Sequence, residues 1–218
     1  MKIVKPSFEI LTPIDSESIL KQIEQVARTC YKSEDRITST SAHAMVKALV
    51  SRKHTAMIEH AHISVKFICD RGVSHEIVRH RMASYAQEST RYCDYSSGKH
   101  GNEITVIQPF FFEEGTREYD AWYLACKTSE AMYLDLLNMG RSPQEARSVL
   151  PNSLKTEIVV TMNLREWMHF FNLRVVGTSG APHPQIKEVA FPVLEAFARE
   201  LPEVFGELYG DAVFREEE

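Results

Sequence analysis

The run His62-Ile63-Ser64-Val65-Lys66-Phe67-Ile68-Cys69-Asp70 alternates apolar and polar side chains, with Ile63, Val65, Phe67 and Cys69 on one face. A period of two is that of a half-buried strand. Arg71-Gly72 then reads as a turn, and Ser74 as the cap of a short helix running to about Arg81. Working outward, Ile19, Leu20, Ile23, Val26, Ala27, Cys30 and Tyr31 recur at three- and four-residue steps and predict a helix from Ser16. A second helix fits Ser41 to Arg52.

Further along, Ile104 to Gln108 and Leu154 to Met162 read as strands, and Gly115 to Met139 as a long helix with Trp122, Tyr123, Cys126, Met132 and Tyr133 inward. Ser142-Pro143-Gln144-Glu145 has the form of a capping box with proline at the first position. Arg165 to Val176 predicts a helix, Gly177 to Pro182 a loop, and Pro192 a kink in the helical segment beyond. Strands are few and helices of unequal length separate them, which argues against a doubly wound parallel sheet. The expectation is an α+β fold: a single domain, 1–218, with a small mixed or antiparallel sheet flanked by helices.

With 44% hydrophobic and 25% charged residues the chain can bury a core, and its formal charge of −5 makes any anion site a local concentration of cations. Met1 to Pro13 has no signal-like apolar core, and no apolar run approaches a membrane span. A cytoplasmic protein is expected, with Cys30, Cys69, Cys93 and Cys126 as free thiols. No glycine fingerprint or phosphate loop occurs, which disfavours a Rossmann dehydrogenase or a P-loop kinase.

The segment from Ser74 to Tyr92 holds Arg79, Arg81 and Arg91 and no lysine. A guanidinium grips phosphate or a pyrimidine edge with two parallel bonds. On a helix reaching Arg81, Arg79 and Arg81 would point to different sides, with Glu76 one turn earlier to orient Arg79 or His80. A loop with Ser84, Gln87, Ser89 and Thr90 would follow. The same residues also suit a solvated basic helix, or a non-catalytic nucleotide- or RNA-binding module on the Arg79–Arg91 patch; the latter lacks a basic stripe elsewhere. His60-x-His62, with Glu59 or His75 as further donors, could begin a metal site, but a structural role fits better and no metal is expected.

Arg79-His80-Arg81, seven residues, Ser89, then Arg91-Tyr92 resembles the signature of the flavin-dependent thymidylate synthases. His54 with Glu59-His60, Ala146-Arg147 through Leu150-Pro151, and Asn163-Leu164-Arg165 with His169 and Asn172-Leu173-Arg174 resemble that family's other segments, in order. The resemblance implies an FAD enzyme that methylates dUMP to dTMP, with 5,10-methylenetetrahydrofolate as carbon donor and NADPH as reductant, releasing tetrahydrofolate. It implies a homotetramer with shared active sites, acting on a small molecule and on neither nucleic acid nor membrane. FAD would be held by His54, Arg79, His80, Arg81, Gln87, Asn163, Arg165 and His169, with His54 near the flavin ring. Substrate would be held by Glu76, Arg79, Gln87, Glu88, Ser89, Thr90, Arg91, Arg147 and Arg174, with Arg174 the catalytic cation. Ser89 would bind by hydrogen bond and not act as nucleophile. Ala56 departs from the family's usual Thr or Ser, Ala86 from an Asn found in some relatives, and the segment Gly177 to Gln185 looks longer than usual.

Overall fold

The computed structural model describes residues 1–98 and 101–214; the acidic tail 216–218, expected to be solvated, lies outside them. Its elements are β1 (Lys2–Val4), β2 (Ser7–Ile10), α1 (Ser16–Tyr31), α2 (Ser41–Ser51), β3 (His62–Asp70), α3 (Arg71–Ile77), β4 (Ala83–Gln87) and β5 (Thr105–Ile107), followed by α4 (Arg117–Asn138), α5 (Pro143–Ala146), β6 (Lys155–Asn163), α6 (Leu164–Phe171), α7 (Pro184–Glu200) and α8 (Pro202–Phe214). Strands β2, β3, β6 and β4 form one sheet in that order, and β1 pairs in parallel with β5. This is the α+β architecture expected, and no described helix is long and apolar enough to cross a membrane.

Two compact units form among the described residues. The first comprises Met1–Ser7, Phe67–Arg79 and Ala86–Val159; the second comprises Phe8–Lys66, His80–Tyr85 and Val160–Glu218. In the first, Trp122, Cys126 and Tyr133 of α4 pack with Tyr95, Ile104, Val106, Ala146 and Leu154. Burial pushes the thiols of Cys69 and Cys126 above their ordinary range, and none of the four cysteines is in a disulfide. Glu130, also on α4, is buried where the N-terminal amine (2.9 Å), Lys127 (2.9 Å) and the Ile104 amide (3.0 Å) neutralise it. In the second, Trp167, Phe170, Phe171, Phe197 and Phe205 meet largely edge to face at 5.3–5.9 Å. Each such pair adds about 0.5–1.5 kcal/mol to simple area burial. The Trp167 indole also donates to the Ile63 carbonyl at 3.0 Å, tying α6 to β3.

Several local expectations are corrected. Arg71-Gly72 is not a turn: α3 starts directly after β3, because Asp70 accepts the Val73 amide at 2.8 Å and thus caps the helix. Ser74 lies buried inside α3 and is not its cap. The helix stops at Ile77, so Arg79, His80 and Arg81 follow it and their spacing is not helical. The polar stretch after Arg81 is strand β4, since an edge position on the sheet outweighs weak local propensity. Cys30 and Tyr31 are exposed at the end of α1; the buried positions one and two turns inward are Ala27 and Glu24, the latter paired with Arg28 at 2.8 Å. Tyr123 and Met132 face outward on α4. Pro192 does lie inside a helix, as its place in the helical pattern implied: α7 runs through it to Glu200.

Asp70→Ala leaves the Val73 amide without its acceptor in a buried site. A loss of about 1–2 kcal/mol is expected, which lowers the thermal midpoint by roughly 3–6 °C for a chain of this size. Calorimetry checks this, and an unchanged midpoint would show that the cap does not hold α3 in place.

Candidate active site

In the second unit, β6 runs into α6 by the device that joins β3 to α3. Asn163 Oδ1 accepts the Glu166 amide at 2.8 Å and caps α6. That cap carries Arg165, Glu166 and His169 on the first two turns. Past Phe171 the helix widens into a single π turn, Asn172–Val176, closed by a bond from the Gly177 amide to the Asn172 carbonyl at 2.9 Å. Gly177 has φ 74°, and a Cβ there would meet Pro182 Cδ at 2.9 Å and the Gly180 carbonyl oxygen at 3.0 Å, so glycine is required. π turns of this kind recur at functional sites, and this one carries Arg174.

The Arg174 Nε–H donates to Nε2 of His80 at 3.2 Å. His80 is buried, its ring edge-on to Phe170 at 4.9 Å and to His169 at 5.6 Å. Its Nδ1 has no hydrogen-bond partner and lies 3.4 Å from Glu166 Oε1. Burial, the Arg174 charge and His169 lower the His80 pKa to about 4, while burial raises that of Glu166 despite His169 and Arg165. Two cavities share Arg165 and His169 in their linings: one of about 520 Å³ reaching Lys53, Thr55 and Asn172, the other of about 370 Å³ reaching Glu59, Met82, Asn163 and Glu166. Arg165 is ion-paired with Glu59. His54 and Arg81 are exposed, and His54 is in neither lining.

In the first unit, the Gln87 amide donates to Ser74 Oγ at 2.9 Å and to Thr156 Oγ1 at 3.2 Å. Its nitrogen is thereby engaged, and its carbonyl oxygen is the atom it can offer a ligand. Glu88 turns to Lys155 (3.1 Å) and the Tyr95 hydroxyl (3.3 Å). Ser89 Oγ accepts the Arg91 amide at 3.3 Å, and the Arg91 guanidinium lies over Tyr92. Arg147 donates to the buried Thr90 hydroxyl at 3.4 Å, and both line a cavity of about 460 Å³ with Arg71, His75 and Gln144. Arg79 is exposed and Glu76 half-buried beside it in sequence.

Sequence reasoning thus named most of these side chains but missed others. Thr55 lines the larger cavity one residue before Ala56, so a hydroxyl is offered there although position 56 lacks one. Arg71 read as a turn residue; its place on the first turn of α3 brings it to the cavity with Arg147. Glu166 carried no signal beyond being an acid near a helix start. His60 and His62 are exposed and not gathered with other donors; among the described residues the grouped donors are His80, Glu166 and His169.

Residues 14–203 match the family model described as thymidylate synthase complementing protein. The chain belongs to this family of flavin-dependent thymidylate synthases. The flavin-dependent thymidylate synthase of Pyrococcus furiosus is 32% identical over 169 residues, covering 77% of this chain and 67% of that one. The Corynebacterium glutamicum enzyme of the same name is 30% identical over 220 residues, covering 93% and 84%. The solved structure of the UMP/dUMP methylase PolB from Streptomyces cacaoi, bound with 5-Br dUMP, superposes with a TM-score of 0.77 at 21% identity, covering 94% of this chain and 96% of that one. At that identity it speaks for the fold.

Because the pKa of His80 is lower folded than unfolded, the unfolded chain binds more protons between pH 6.5 and about 4. Its contribution is therefore complete above pH 6.5 and disappears as pH falls through about 4, with a magnitude on the order of 3 kcal/mol. Urea denaturation is expected to show the wild type losing stability more steeply than His80→Gln over that window. Parallel profiles would show that the imidazole is not held neutral.

Proposed function

We propose that this chain is a flavin-dependent thymidylate synthase: it methylates dUMP to dTMP, takes the carbon from 5,10-methylenetetrahydrofolate, uses NADPH to reduce bound FAD, and releases tetrahydrofolate. We further propose that residues 1–218 act as one catalytic domain in a cytoplasmic homotetramer. The observation that carries the reading is a fixed arginine, Arg174, held by a buried neutral imidazole in a chain of this family.

The residues present fit an FAD. The paired cavities of the second unit combine guanidinium, imidazole and threonine hydroxyl groups with the apolar side chains of Met168, Val204 and Leu208, which suits a ligand with an anionic pyrophosphate and a flat ring. Arg165 and His169, with Arg81, would hold it, and His80 would serve the site indirectly, its buried ring being bonded to Arg174. Asn163 would contribute through its side-chain nitrogen or backbone, because its oxygen caps α6. By the family resemblance His54 would serve the flavin, and Arg79 and Gln87 would serve flavin and nucleotide alike. The chemistry a bound flavin supplies is hydride transfer to the reacting carbon.

For the nucleotide, Arg147, Arg91 and the Thr90 hydroxyl would hold the phosphate by charge-assisted bonds. Glu76, Glu88 and Ser89 would orient the rest. Glu88, the nearest carboxylate in sequence to Ser89, is committed to Lys155, which argues against its acting as the base that a serine nucleophile needs. Ser89 therefore binds and does not add. Arg174 would stabilise the negative charge that builds on the uracil ring as N3 loses its proton, a preorganised electrostatic contribution.

Purified protein is expected to carry FAD and to turn over only with dUMP, methylenetetrahydrofolate and reduced nicotinamide together. Dihydrofolate as the stoichiometric folate product would overturn this. Arg174→Ala is expected to keep the flavin absorbance and lower kcat by about two to three orders of magnitude. Arg174→Lys should recover little, since a point charge does not reproduce the planar fork. Steady-state assays at saturating FAD decide it, and near-normal turnover of Arg174→Ala would dislodge Arg174 from the uracil.

A further inference from the structure

The chemistry above leaves Glu166 without a role. It is an acid on the first turn of α6, its side chain only 13% exposed, and burial makes its charged form costly. A carboxylate in that position is expensive to keep unless something nearby needs it.

What lies nearby is His80. The Arg174 Nε–H can only donate, so the bond it makes to His80 requires a lone pair on Nε2. A neutral ring with its lone pair on Nε2 carries its proton on Nδ1. His80 is neutral across the physiological range, because burial and the neighbouring Arg174 and His169 hold its pKa near 4. Among the described residues the carboxylate recorded against Nδ1 is that of Glu166, with Oε1 at 3.4 Å and the imidazole side chain 2% exposed.

We propose that Glu166 is a positioning residue: it holds His80 in the Nδ1–H tautomer and thereby keeps the Nε2 lone pair turned to the Arg174 guanidinium. The proposal rests on the reading of Arg174 given above. The electrostatics of the two contacts agree. In the Nδ1–H form the N–H dipole faces a carboxylate, and a bare nitrogen faces a guanidinium donor. In the Nε2–H form, lone pair would face carboxylate and hydrogen would face hydrogen. In a desolvated setting both repulsions count almost in full.

The backbone fixes both partners of the ring. Asn163 caps the Glu166 amide, and the π turn closed at Gly177 fixes the segment bearing Arg174. The His80 carbonyl accepts the Tyr85 hydroxyl, and Phe170 packs on the ring. The donor atoms of His80, Glu166 and His169 lie within 4.8 Å of one another, as in a loose metal site. A proton on Nδ1 and the adjacent guanidinium both oppose a cation there, so carboxylate, imidazole and guanidinium act as an electrostatic relay.

Two measurements test the relay. Imidazole 15N shifts of histidine-labelled wild-type protein at pH 7 are expected to show Nδ1 protonated and Nε2 bare at His80, with the two tautomers mixed in Glu166→Leu. At saturating FAD and dUMP, Glu166→Leu is expected to lower kcat about ten- to thirtyfold, less than removal of the charged donor itself. Glu166→Gln, which keeps an oxygen acceptor, should recover most of that loss. In an Arg174→Ala background the same Glu166→Leu change should cost less than about twofold, because residues acting through one another are not additive. An undiminished loss in that background would overturn the relay and leave Glu166 with a merely structural role. Normal turnover by Arg174→Ala alone would overturn the catalytic reading of Arg174. The tautomer is independent of that reading, and a wild-type Nε2–H form would overturn the relay whatever the kinetics.

Discussion

Two side-chain caps set the geometry on which this molecule depends. Both nine-residue strands, β3 and β6, end on an Asx residue that accepts an amide three positions on, Asp70 from Val73 and Asn163 from Glu166, each at 2.8 Å. A helix start has four amides with no partner of their own. Satisfying one at the strand's last residue lets the chain pass from strand to helix with no intervening loop. The caps therefore fix where α3 and α6 begin, and with them which side chains of Arg71, Glu76, Arg165, Glu166 and His169 fall on each turn. Asp70 is itself buried, so the cap is also the way a desolvated carboxylate stays compensated.

A second constraint follows at His80. The chain is net acidic, yet the second unit carries Arg165, His169 and Arg174 along one segment and sets His80 against it. Cations so placed repel one another unless some stay neutral. Burial keeps His80 neutral, Glu59 offsets Arg165, and the carboxylate of Glu166 faces the protonated edge of the imidazole. Arg174 itself sits on a π turn whose closing glycine has no substitute. In the first unit the same economy appears at Lys155, which takes Glu88 and Glu157 at once and so keeps Glu88 away from the serine beside it.

The sequence by itself determined a good deal. Alternation over His62–Asp70 marked one long strand, because a pleated backbone with one inward face has a period of two, and the run Leu154–Met162 marked the other. Three- and four-residue steps fixed α1, α2, α4 and the run through α6, and Ser142 to Glu145 announced the start of α5. The composite pattern from Arg79 to Tyr92 pointed to the family. Tertiary structure alone decided that α3 ends at Ile77, that Ala83–Gln87 is a strand, and that Glu24 is buried where Cys30 and Tyr31 are not. It alone brought Glu166, Thr55 and Arg71 into play. The reason is physical: periodicity records which face of an element is apolar, and that survives in one dimension. An edge strand's pairing, a helix's last turn and the tautomer of an imidazole depend on partners dozens of residues away, such as Arg174 for His80, and no local pattern encodes them.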